Sequence, residues 1–312
     1  MSAAASNSPL SDANDQPSGG QNDPQNNGPL NKDIIFVAGL PRSGSTLLCQ
    51  LLGEHPLVDP AIHSSPLFNC LTMLRERISD NEFFLSQLDP DFDTAYERLD
   101  QAFRGFVHGW FAHSEYQWVV DKNRGWLSQV DLVKLLNPRN KILICVRELG
   151  QIYGSIEAQH QKTLWIDFPD NLARLSAYDR GDRLFGNSGV VGSALNALKS
   201  VQDLPQPIQA DLFYVVFEHL MLEPIAVMNN IYQWLGLPPH AINPQDLTVR
   251  PHESDSYYRF KYRHQTRQKI SPPSPHSVSL RMEKELRKSF PWYYQVFYPG
   301  LAAGGAGEAE NA

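Results

Sequence analysis

Asp33-Ile34-Ile35-Phe36-Val37-Ala38-Gly39-Leu40-Pro41-Arg42-Ser43-Gly44-Ser45-Thr46-Leu47-Leu48 passes from a short β-branched apolar run, through a Gly/Pro turn, into a helical stretch that continues to Glu54. The apolar run reads as a strand buried on both faces. His55-Pro56 stops the helix, because the residue before a proline is steered away from helical backbone. Between strand and helix, Gly39 and Gly44 frame a G-x-x-x-x-G loop. A glycine loop in that place aims backbone N–H groups and the positive end of the helix at an anion.

Outward from this unit the same alternation repeats. Gln117–Asp121, Lys141–Val146 and Leu212–Phe217 read as further strands. Helical periodicity is read around Pro66–Arg77, Thr94–His113, Leu127–Leu136 and Leu149–His160, and in a helix that ends at Gly236-Leu237-Pro238-Pro239. Near-continuous apolar strands alternating with helices predict an α/β fold, a P-loop-like three-layer sandwich with a central parallel sheet flanked by helices. The domain is expected to span residues 31–300. Residues 1–30 are Ser, Asn, Gln, Asp, Pro and Gly with almost nothing apolar, and 301–312 are small and polar, so both ends are read as disordered tails. The segment Arg250–Ser277, rich in polar residues, Tyr and Pro, is read as a long lid or surface loop.

Charge narrows the classes of function. The chain of 312 residues has a formal net charge of −7, yet five of its 34 acidic residues lie in the two tails and all 27 Lys and Arg lie between 31 and 300. The body is therefore nearly neutral, and with a pI near 5.8 it is not a general nucleic-acid binder; any anion site must be local. Cys49, Cys70 and Cys145 are odd in number and far apart, with no CxxC pair, which argues against a zinc site or a disulfide framework and suits buried thiols in a reducing compartment. No apolar run reaches the roughly 20 residues of a membrane-spanning helix, and the N-terminus has neither the basic start nor the apolar stretch of a secretory signal. The expected location is cytoplasmic.

The loop departs from a nucleoside-triphosphate loop at one decisive place. There, Lys reaches the terminal phosphates and the next hydroxyl holds magnesium; here the lysine position is Ser45. The positive charge comes earlier, at Arg42, with hydroxyls at Ser43, Ser45 and Thr46. Such a loop suits an anion with less charge than a triphosphate–metal complex.

Pro41-Arg42-Ser43-Gly44-Ser45-Thr46-Leu47-Leu48 resembles the 5′-phosphosulfate loop of the sulfotransferase family, whose donor is 3′-phosphoadenosine 5′-phosphosulfate. Ile144-Cys145-Val146-Arg147, with Ser155 eight positions on, is similar to the family's second signature, a strand-terminal Arg and a helical Ser that share the donor's 3′-phosphate. Val120-Asp121-Lys122-Asn123-Arg124-Gly125-Trp126 is similar to the Asp-x-Asn-Arg-Gly-Trp segment of a bacterial group of these enzymes. Val216-Phe217-Glu218-His219-Leu220 resembles the family's Tyr-Glu-Asp-Leu segment with Phe and His substituted, and Arg263–Arg267 and Phe290-Pro291-Trp292 look like that group's C-terminal end.

The resemblance implies that Arg42, Ser43, Gly44, Ser45 and Thr46 hold the 5′-phosphate and sulfuryl group and that Arg147 and Ser155 hold the 3′-phosphate; the basic run Arg259–Lys269, with Arg267 its donor-binding candidate, reads as a loop closing over the 3′-phosphate or over an acidic acceptor, or as a solvated face. The resemblance also implies Lys122 beside the bridging oxygen and, shortly after a His-Pro segment, a base for the acceptor, for which His63 is the nearest titratable residue. Trp126 and Tyr257 are candidates to stack on the adenine or an aromatic acceptor, with core packing the plainer reading of Trp126. No metal is required by this chemistry. The expected partner is a small-molecule, sugar, lipid or peptide acceptor offering a hydroxyl or amine, recognised by the segments 66–118, 161–208 and 250–277. Two other readings remain open: a divergent P-loop kinase or NTPase, in which Asp121 ends a strand as the magnesium ligand, and a non-catalytic donor-binding protein.

Overall fold

The computed structural model describes residues 32–162, 172, 174–250, 253–254, 263–272 and 274–302; for 253–254 and 263–264 only the backbone is described. The expected tails at 1–30 and beyond Ala302 lie outside these residues, as do Tyr257 and most of the basic run before Arg263.

In chain order, β1 (Asp33–Gly39) leads into α1 (Ser45–Leu52), followed by α2 (Leu67–Ser79), α3 (Glu82–Leu88) and α4 (Phe92–Trp110). β2 (Trp118–Lys122), a 3-10 turn over Arg124–Ser128, α5 (Val130–Leu136), β3 (Lys141–Val146) and α6 (Leu149–Lys162) come next. Then follow α7 (Ala177–Phe185), α8 (Gly192–Gln202), α9 (Gln206–Gln209), β4 (Leu212–Val216), α10 (Phe217–Leu222) and α11 (Pro224–Leu235). A two-residue hairpin, β5 (Glu253–Ser254) and β6 (Arg263–His264), precedes α12 (Leu280–Ser289), α13 (Pro291–Phe297) and α14 (Pro299–Ala302).

The four long strands form one parallel sheet in the order β2-β1-β3-β4. Its inner strands are buried on both faces, as the unbroken apolar runs predict. Ile34, Phe36 and Ala38 of β1 point into one core with α2, α4, α5, α6 and α8; Ile35 and Val37 point into the other, with Leu48, Leu51 and Leu52 of α1 and Met228, Ile231 and Leu235 of α11. Two such cores on one sheet are the three layers expected from the sequence. Helix 127–136 is the main departure: it is a 3-10 turn and a short α-helix separated at Gln129, whose φ of −137° is outside the helical range. The turn is nucleated by Asn123, whose side-chain oxygen accepts from the Gly125 amide at 2.9 Å.

That strand order fixes where a ligand can go. The chain leaving β1 connects to β2 on one side and the chain leaving β3 connects to β4 on the other, so their carboxyl ends diverge and open a crevice. Gly39 sits at the crevice floor with φ +127°, and the Leu40 amide donates to the Cys145 carbonyl at 2.9 Å, tying the glycine loop to β3.

Asp121 and Trp126 belong to the core beneath this edge. Trp126 is fully buried, edge-on to Phe36 (4.8 Å) and Phe68 (5.3 Å), and its Nε1–H donates to Asp121 Oδ1 at 2.7 Å. Core packing, not ligand stacking, is thus the role of Trp126. Burial pushes the Asp121 carboxyl up to about 6 from 3.8. A folded-state pKa above the unfolded one means that the unfolded chain releases its proton first, so stability falls as pH rises through that window. Asp121→Asn, whose amide oxygen still accepts from Trp126, is expected to gain stability relative to the parent by up to about 3 kcal/mol between roughly pH 4 and 6, and no more above it. Urea unfolding of both proteins across that range checks this; a difference independent of pH contradicts it.

Candidate functional site

The loop after β1 is held in a strained shape. Arg42 adopts φ +59°, left-handed backbone that a non-glycine residue takes up at a cost of about 1–3 kcal/mol, and Gly44 caps α1 at φ +90°. The Ser43 hydroxyl is turned inward and donates to the Leu40 carbonyl at 2.5 Å, stapling the loop from below. Any part Ser43 plays with a ligand falls to its backbone. With Ser43 turned down, the Arg42 side chain stands over the crevice, and its Nε donates to Ser155 Oγ on α6 at 3.2 Å.

Arg147, the first residue after β3, closes the other side. Its Nη1 donates to the Arg42 carbonyl at 3.1 Å, and its guanidinium lies over the Phe217 ring at 4.3 Å. Behind it, Tyr293 on α13 clamps the backbone, donating to the Arg147 carbonyl at 2.7 Å and accepting from its amide at 3.2 Å. Arg147 is buried, with Nε lacking any hydrogen-bond partner. Burial lowers its pKa, Glu218 raises it and the neighbouring Arg42 lowers it. The Arg42 charge thus opposes that of the buried Arg147, a repulsion that a bound anion offsets.

Six sequence-nominated residues, Arg42, Gly44, Ser45, Thr46, Arg147 and Ser155, meet Arg267 around one cavity of about 350 Å³ on the β3 side of the loop. The cavity also takes in Lys269 of the basic run, together with Lys162 and His276, which the sequence reading passed over, giving it five Lys or Arg side chains and, among the described residues, no Asp or Glu. Burial first, then Arg147, Arg42 and Lys162, hold the His276 pKa below its ordinary value. The segment carrying Arg267 is pinned to α1: the buried Gln50 amide donates to the Thr248 carbonyl at 2.8 Å and to the Arg267 carbonyl at 2.9 Å. Gln50 sits in the unremarkable run Leu48–Leu51 of an apolar helix, and only its polarity there hinted at a partner.

A second cavity, about 400 Å³, opens on the β2 side and shares Arg42 and Ser45 with the first. Lys122 reaches into it from the end of β2, its Nζ 3.5 Å from Thr46 Oγ1, and so approaches the loop from the face opposite Arg147. Of the three segments expected to build an acceptor pocket, 66–118 contributes Pro66 and Asn69 here, whereas no described residue of 161–208 or 250–277 joins this lining; α7 and α8 pack into the core. His63 is not brought into either cavity. It lines a smaller one, about 170 Å³, with Asp59, His113 and Asp121, which borders the second through Ser64 and Ser65. Among the described residues no three His, Cys, Asp or Glu stand together as a metal site, and no helix is long and apolar enough to cross a membrane.

The switch point of the parallel sheet thus carries a strained, lysine-free glycine loop with Arg42 in it and Arg147 facing it from the end of β3. The sequence over residues 33–241 matches the profile of the Sulfotransferase family, and the chain belongs to that family. No curated protein matches it in sequence. Similar solved structures include a sulfotransferase from Alicyclobacillus acidocaldarius, 14% identical with TM-score 0.48 over 86% of this chain and 96% of that one. They also include the sulfotransferase domain of the Synechococcus PCC 7002 olefin synthase, 16% identical with TM-score 0.43 over 84% and 95%. Mouse sulfotransferase SULT7A1 complexed with PAP is 10% identical with TM-score 0.36 over 69% and 61%.

Proposed function

We propose that the protein transfers the sulfuryl group of 3′-phosphoadenosine 5′-phosphosulfate to a hydroxyl or amine. The observation that carries this reading is the acid-free, five-cation cavity at the switch point, bounded by a loop with Ser45 where a triphosphate site needs Lys. A donor with a phosphosulfate at one end and a separate 3′-phosphate at the other needs two cationic poles, and Arg42 and Arg147 supply them. Ser45, Thr46 and the amides around Gly44 serve the 5′ end; Ser155, with Arg267 above it, serves the 3′ end. Phe217 and Met221, on the same cavity wall, offer the base an apolar face.

The donor supplies an activated sulfuryl group whose departure leaves negative charge on the bridging phosphate oxygen. Arg42 and Lys122, on the two sides of Thr46, are the cations placed to stabilise that charge as it builds. We assign proton removal from the acceptor to His63, which lines the neighbouring cavity and meets the β2-side one only across Ser64 and Ser65, so the proton is relayed by a serine hydroxyl or a water. The kinase reading loses its magnesium ligand, since Asp121 is fully buried and hydrogen-bonded to Trp126. A cytoplasmic setting belongs with the proposed function.

Calorimetric titration with adenosine 3′,5′-bisphosphate, with and without magnesium and beside ATP, tests the donor. The expected result is micromolar, metal-independent binding that prefers the bisphosphate. Preference for magnesium-ATP overturns the reading.

A further inference from the structure

The β2-side cavity carries a charge that the donor does not explain. Besides Arg42 and Lys122, Arg124 lines it, half-buried at the start of the 3-10 turn, and its guanidinium makes no ion pair or hydrogen bond to any described residue. The sequence motif around it accounts for its neighbours. Asp121 anchors Trp126, Asn123 nucleates the turn, and the Asn123 amide donates to the Ser65 carbonyl at 2.8 Å. Among the described residues, Arg124 is the one charged group of that motif without a partner.

Among the described residues the rest of the lining holds no carboxylate, and polar and apolar residues share it. Ser64, Ser65, Asn69 and Asn123 face the space, and its apolar members are the loop and strand-end residues from Val37 to Pro41 together with Pro66; no aromatic side chain lines it among the described residues. A flat phenol would find no aromatic side chain to stack on here. A hydroxylated molecule would find donors and acceptors at Ser64, Asn69 and Asn123, and an anionic group on it would find Arg124. A guanidinium fork suits a carboxylate or an oxyanion of phosphorus or sulfur in paired hydrogen bonds.

We propose that the acceptor is a polyhydroxylated molecule that already bears an anionic group, the chemical class of a sugar acid, and that Arg124 is the residue that selects it. This rests on the donor assignment above, because the β2-side cavity becomes the acceptor side only when the β3-side cavity holds the nucleotide.

The test uses the full chain loaded with adenosine 3′,5′-bisphosphate, titrated with p-nitrophenyl β-glucuronide and with p-nitrophenyl β-glucoside, which differ at one carboxylate. The glucuronide is expected to bind at least tenfold more tightly. Arg124→Gln is expected to abolish that ratio and Arg124→Lys to keep part of it, with bisphosphate affinity unchanged in both variants. Equal binding of the two glycosides, binding of neither, or a tenfold loss of bisphosphate affinity in Arg124→Gln each overturns the inference. The last result would place Arg124 on the donor instead. If the parent does not bind the bisphosphate at all, the donor assignment itself fails, and the two failures are told apart by that first titration.

Discussion

Arg42→Ala is expected to lower turnover by about 10²–10³-fold and to weaken adenosine 3′,5′-bisphosphate binding more than tenfold, while leaving the fold no less stable. The loss of turnover follows from placement. Arg42 is the one arginine that borders both cavities, and removing one preorganised donor from a developing oxyanion costs about that factor. The affinity loss follows from removing one charge-assisted contact, worth about 1.5–3 kcal/mol. Stability should not fall with them, because Arg42 opposes the charge on the buried Arg147. Arg42→Gly sharpens the point: at φ +59° glycine relieves backbone strain that alanine keeps, so the glycine variant should be the more stable of the two and just as inactive. His63→Ala provides the contrast, with turnover reduced at unchanged bisphosphate affinity, as befits a base acting on the acceptor alone. Steady-state kinetics, calorimetry and urea unfolding on the four proteins read every term. Parent-like turnover in Arg42→Ala would remove the loop from the chemistry.

Much of this site was legible in the sequence because its parts are local. A glycine loop between a strand and a helix, and a strand that ends in arginine, are patterns of adjacent residues, and a parallel sheet brings the carboxyl ends of its strands to one edge whatever the helices do. Arg42, Ser45, Thr46, Arg147 and Ser155 were found in that way, and the cavity unites them. What escaped was contributed by chain that arrives from elsewhere. His276 sits on irregular backbone whose path no periodicity records, and Gln50 is meaningful only once the segments around Thr248 and Arg267 cross over it. The helices α7, α8 and α12 were missed for a related reason: their amphipathic pattern is carried by few residues, such as Leu184, Leu195, Leu198 and Leu286, in otherwise polar runs. Their place in the core is decided by tertiary packing rather than by local propensity. His63 shows the opposite limit. Sequence proximity to a His-Pro segment nominated it, but proximity along the chain did not set which side of Ser64 and Ser65 its ring would take.

Gly39→Ala should be severely destabilising, costing at least about 4 kcal/mol, with Gly236→Ala costing only about 1–2 kcal/mol. Both glycines have positive φ, +127° and +86°, so both substitutions carry backbone strain. They differ in what the new methyl meets. At Gly236, the C-cap of α11, nothing lies within 4 Å. At Gly39 an added Cβ falls 2.2 Å from the Cys145 carbonyl oxygen and 2.5 Å from its amide nitrogen. These are backbone atoms of the strand paired with β1, so no rotamer change relieves the clash; β1 and β3 must part. The parting would occur where Leu40 bonds to the Cys145 carbonyl, two residues before Arg42 and two before Arg147. The molecules that remain folded should therefore also lose bisphosphate affinity, whereas Gly236→Ala should bind like the parent. Denaturant unfolding joined to bisphosphate titration of the two variants decides it. Similar stability losses at both positions would mean that strain alone explains Gly39, and that the close approach of the two strands is not what builds the crevice.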